Sequence, residues 1–133
     1  ERLTASLRQR KAAAPDDPRA RLVASGVGYI DFALANPALF KLLFGSERPA
    51  SDDPELVRNA TAAFADLVDG IADIEGKDPL GDADGRIDVA AAWSLVHGAA
   101  SLLIAGRMGF ARTEMEADRD AFLHRLVERI LPD

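Results

Sequence analysis

The chain has 133 residues, 48% of them hydrophobic, and carries 16 basic against 22 acidic side chains for a net charge of −6. That length suits one domain with one core, and the acidic balance excludes a chain that holds nucleic acid by itself, which needs a concentrated basic surface. The absence of cysteine excludes disulfides and thiolate metal sites and is compatible with a reducing cytoplasm.

Residues 1–13 read as a helix with a thin apolar stripe, Leu3 and Leu7, and with the basic residues Arg2, Arg8, Arg10 and Lys11. No apolar segment of a signal peptide is present there. Pro15 to Pro18 break the helix, and Asp17 followed by Pro18 is a helix-start signal. The next helix runs to about Asn36, with Val23, Val27, Ile30 and Leu34 at helical spacing. Asn36 as a cap and Pro37 in the first turn start a short helix through Phe44. Gly45 to Asp53 is a polar loop. A long amphipathic helix follows over about 54–75, with Leu56, Ala60, Phe64, Leu67, Ile71 and Ile74 on one face. Gly76 to Gly85 is turn-rich.

Val89 to Gly106 contains no charged residue, is bounded by Asp88 and Arg107, and holds Trp93, His97 and Gly98. A helix without a polar face must be covered all round. The expectation is a helix over about 86–107 that runs through the middle of the fold or is sandwiched against a second chain. The run is near the lower length limit for a membrane span, but its Ala, Ser, Gly and His make it too weakly hydrophobic, and no membrane contact is expected. The last helix spans about Thr113–Leu131, and Thr113 to Glu116 resembles a capping box. No segment alternates with a period of two. The fold class is all-α, a multi-helix bundle.

Asp82-Ala83-Asp84-Gly85-Arg86-Ile87 matches the middle of a calcium-binding loop, but Leu80 and Ala91 stand where its first and last carboxylates belong. The simpler reading is that Asp82 and Asp84 cap the next helix. His97 has Ser94 and Ser101 on its own face, and no His or carboxylate spacing makes a bundle metal site. No phosphate loop, nucleophile elbow or catalytic carboxylate pair is present, so no enzymatic activity, cofactor or metal is expected. Large rings from separate helices, with a few polar groups, can line an apolar cavity. The candidate lining is Tyr29, Phe32, Phe40, Phe44, Phe64, Trp93 and His97, and Asn59, Ser94 and Arg107 are further polar groups. Small and apolar residues of the last two helices suggest a two-fold interface: Ala91, Gly98, Ala99 and Leu102, then Phe122, Leu126 and Ile130.

Two segments carry a family resemblance. They are Y-I-D-F-A-L-A-N-P-A-L-F-K-L-L-F (Tyr29–Phe44) and A-W-S-L-V-H-G-A-A-S-L-L-I-A-G-R (Ala92–Arg107). Together they resemble the C-terminal domain of TetR-family transcriptional regulators, in the subgroup with a Trp-His-Gly signature. The resemblance implies that residues 1–14 end a connecting helix from an N-terminal helix-turn-helix outside this sequence. Residues 15–133 would form the effector-binding and dimerisation domain of a cytoplasmic repressor. The last two helices would make a four-helix homodimer interface. The middle helices would enclose a small apolar or amphipathic effector, and DNA would be touched only through the helix-turn-helix. The alternative is a free-standing helical module for protein–protein interaction.

Overall fold

A computed structural model describes residues 17–44 and 54–129. Among these residues there are six α-helices and no strand. The helices are α1 (Pro18–Ala35), α2 (Pro37–Phe44), α3 (Pro54–Glu75), α4 (Ala83–Ile104), α5 (Arg112–Ala117) and α6 (Arg119–Glu128). Single 3₁₀ turns at Pro79–Gly81 and Gly109–Ala111 precede α4 and α5. The expected helix over 1–13, the polar loop Gly45–Asp53 and Ile130 lie outside the described residues.

The central helix is α1, not the uncharged segment of α4. It packs against α2, α3, α4 and α6. Eleven of its 18 residues are buried, an unbroken run from Leu22 to Ile30 followed by Phe32 and Ala33. Asp17 starts it as the spacing predicts, accepting from the Arg19 amide at 3.3 Å. Asn36 closes α1, its side-chain amide donating to the Phe32 carbonyl at 3.0 Å, and stands at the cap of α2, where its own carbonyl accepts from the Phe40 amide at 2.9 Å.

By contrast, only six of the 22 residues of α4 are buried, so the expectation that this helix is covered all round is corrected within the chain. Val89, Ala92, Val96, Ala99 and Ala100 form its inward face. The opposite side carries Ile87, Ala91, Ser94 and Leu102 in the open, with Ile87 64% and Leu102 45% exposed. By length and composition α4 could cross a membrane, with 28% of its apolar window buried.

The ends of α4 also differ from expectation. It starts at Ala83, where Asp82 accepts from the Gly85 amide at 2.7 Å. Asp82 also meets Lys77 at 2.8 Å, and these two contacts hold its carboxyl below its ordinary range. Gly85, at the sixth place of the calcium-like pattern, has a packing role. A Cβ there would lie 2.0 Å from the Pro79 carbonyl oxygen. The helix ends at Ile104 because Gly106 adopts φ 70°. The Gly106 amide donates to Leu103 at 3.1 Å and the Arg107 amide to Leu102 at 2.8 Å. This is the Schellman arrangement, which satisfies the last carbonyls of a helix.

The expected last helix is two helices. Asp118 leaves the helical conformation and caps α6, accepting from the Ala121 amide at 3.0 Å. Nor does the capping box form, because Ala111 precedes α5 and makes no side-chain cap. The side chains of Leu123 and Val127 bury α6 against the core, and Arg119 reaches Asp31 of α1 at 2.9 Å.

At Gly26 α1 comes close to both α4 and α6. A Cβ there would stand 2.7 Å from Val127 Cγ1 and 3.2 Å from Val96 Cγ1. Valine is stiff at χ1, so neither neighbour turns away cheaply. Gly26→Ala is expected to lower stability by about 1–3 kcal/mol in urea unfolding, against a helix-propensity gain of about 1 kcal/mol. Adding Val127→Ala should recover part of that loss.

Candidate functional site

Five of the seven residues expected to line a cavity form one aromatic cluster. Tyr29 comes from α1, Phe40 from α2, Phe64 from α3, and Trp93 and His97 from consecutive turns of α4. Ring centroids are 5.7 Å apart for Tyr29 and Trp93, 6.0 Å for Tyr29 and Phe40, and 5.2 Å for Phe40 and His97. Phe64 meets Trp93 edge-on at 5.5 Å, and Trp93 stacks on His97 at 6.2 Å. Phe32 is buried in the same core. The Phe44 side chain and the Asn59 side chain lie outside the described residues.

The cluster has a floor and a rim. Tyr29 and Phe40 are buried, Trp93 and His97 are half-buried, and Phe64 is 36% exposed. The partner of His97 is not a serine of its own helix. The Tyr29 hydroxyl and His97 Nδ1 are joined by a 3.2 Å hydrogen bond across the α1–α4 seam. Burial pushes the His97 pKa down and the Tyr29 phenol well above its ordinary value, so both side chains are uncharged at neutral pH. Ser94 and Arg107, two of the other polar candidates, are exposed.

A crevice of ≈ 10 Å³ lies between Ser25, Gly26, Tyr29, Ala63, Leu67, Trp93 and Val96. That is about the room one water needs, so the rings lie closed upon one another. Among the described residues no charged side chain lines the crevice. Ser25 and Asp66, which sequence reasoning passed over, belong to its edge: the Ser25 hydroxyl donates to the Asp66 carboxylate and ties α1 to α3. The available signal was a lone serine in an otherwise apolar stretch beside Gly26.

A second concavity, ≈ 490 Å³, is an open groove on α5 and α6, lined by Phe122 and Leu126 among Glu114, Asp118, Arg125 and Arg129. It is much the larger, and among the described residues it is walled by two adjacent short helices. The ring cluster is gathered from four helices and its crevice is the more enclosed of the two. Of the residues expected at an interface, Ala91 and Leu102 are exposed, and Gly98, Phe122 and Leu126 are half-buried. Ala99 is different. It is turned inward and belongs to the chain's own core.

A family model described as the tetracyclin repressor-like C-terminal domain matches residues 22–130. The chain belongs to this family. No curated protein and no solved structure matches it. The TetR-like domain is a regulator module and not an enzyme, and the matched range takes in α1 from Leu22 onward, all five rings and α6.

The lowered pKa of His97 has a consequence for stability. The unfolded chain takes up a proton there more readily than the folded one, so stability rises with pH through this window. Between pH 8 and pH 6, above the carboxylate range, the native protein should lose stability as pH falls. His97→Gln should lose less, and the difference between the two urea midpoints isolates His97.

Proposed function

We propose that this TetR-like domain is the effector-binding and dimerisation half of a cytoplasmic transcriptional repressor of the Trp-His-Gly subgroup. The observation that carries the reading is the closed ring cluster at the meeting of four helices, within a domain of this family. A small apolar or amphipathic effector enters past Phe64 and separates the rings. Residues 1–14 then end a helix that connects residues 15–133 to a helix-turn-helix, and only that module touches DNA. Effector binding shifts the population between two spacings of the DNA-reading heads and so changes operator affinity.

The homodimer forms through the outward side of α4 and the groove of α6. The uncharged face with Ile87, Ala91, Gly98 and Leu102 supports this, as does the Phe122–Leu126 groove. Apolar surface of this extent along a helix otherwise invites unspecific association. In place of the expected four-residue set on α4, the interface here uses Ala91, Gly98 and Leu102 without Ala99.

Sedimentation equilibrium at micromolar concentration is expected to give a dimer. Gly98→Arg should weaken it by more than about tenfold, because a charge is then buried without a partner. A strict monomer would sink the dimer reading and favour the free-standing interaction module.

A further inference from the structure

We infer that the ring cluster selects an uncharged planar arene carrying a hydroxyl group, whose hydroxyl inserts between Tyr29 and His97. The inference rests on the effector reading above and names the class of ligand.

Trp93 and His97 project from successive turns of one helix, with their ring planes 26° apart and their centroids 6.2 Å apart. At that separation the two rings are an offset pair already in contact. A flat guest seated against the Trp93 face, its edge toward His97, separates the rings less than a bulky aliphatic body would. Phe64 edge-on to Trp93 and Phe40 tilted against His97 continue the aromatic walls around that seat.

Among the described residues the crevice lining holds no ionised side chain. The carboxylate at its edge, Asp66, accepts the Ser25 hydroxyl and repels an anion. An anion placed among the rings would be desolvated with no counter-charge in that lining, which is costly. A neutral guest meets no such cost.

The hydrogen bond at the floor then decides the functional group. One proton lies between the Tyr29 oxygen and His97 Nδ1, 3.2 Å apart. If tyrosine donates, Nδ1 is the acceptor; if Nδ1–H donates, the phenol oxygen is. A guest that separates the two must therefore accept from one and donate to the other, whichever tautomer holds. A hydroxyl does both. An ether or carbonyl only accepts and an ammonium only donates, so each leaves one member of the pair without the bond it had. Losing one such buried bond corresponds to about tenfold or more in affinity.

Isothermal titration calorimetry of the full chain with four naphthalenes of similar size tests this. The probes are 2-naphthol, 2-methoxynaphthalene, 2-naphthoate and 2-naphthylmethylammonium. Saturable binding of 2-naphthol is expected, at least about tenfold tighter than the methoxy ether, with both ions weaker still. In Tyr29→Phe the advantage of naphthol over the ether should shrink to within about twofold while the ether still binds. If that variant does not fold, the four-probe series on the native chain decides alone. An ether as tight as naphthol, or an ion that binds best, would overturn the hydroxyl-arene class and leave the effector reading standing. Heat from none of the four, with the protein folded by circular dichroism, would overturn both.

Discussion

The packing of this domain depends on how closely α1 lies against two other helices. At Gly26 the backbone of α1 is near enough to Val127 of α6 and Val96 of α4 that a single methyl group has no room. On the α3 side the arrangement is reversed, and Gly70 makes room for the Leu22 side chain, 2.9 Å from where its own Cβ would be. Two glycines on two helices thus set how near α1 stands to its neighbours. The contacts of α1 with α3, α4 and α6 are sensitive to that spacing, because protein interiors are packed as densely as organic crystals and do not absorb small shifts.

The same glycine joins the core to the candidate site. Gly26 lines the crevice beneath Trp93 and also abuts Val127. Tyr29 lies three residues further along α1 and holds His97. Whatever separates the rings acts on a helix that also seats α6. Coupling between a ligand and a distant surface requires an element biased by both, and α1 is positioned to be that element.

The all-α class and the extents of α1, α2 and α3 were legible in the sequence, because Asp17-Pro18, Asn36-Pro37 and the apolar spacing are local signals. The membership of the ring cluster was legible too, through the resemblance as much as through chemistry. Which helix is central was not. Both α1 and α4 are charge-poor over long stretches, and periodicity cannot separate a face that meets its own chain from one that lies open. The break at Asp118 was hidden because Glu-Ala-Asp-Arg-Asp reads as an ordinary solvated helical face. The Tyr29–His97 bond joins positions 68 residues apart, a distance over which no spacing rule speaks. The Gly-Arg exit of α4 appeared only as part of a family pattern, and its physical meaning is the left-handed turn at Gly106.

The interruption at Asp118 leaves α6 as a helix of ten residues. Isolated helices shorter than about 12–15 residues are marginal in water, so this segment owes its helicity to what holds it. The holders are the burial of Leu123 and Val127, the Asp118 cap and the Arg119–Asp31 ion pair. Two of these involve α1 directly, at Gly26 and at Asp31. The helicity of this last described segment is therefore borrowed from α1 rather than intrinsic to its own sequence.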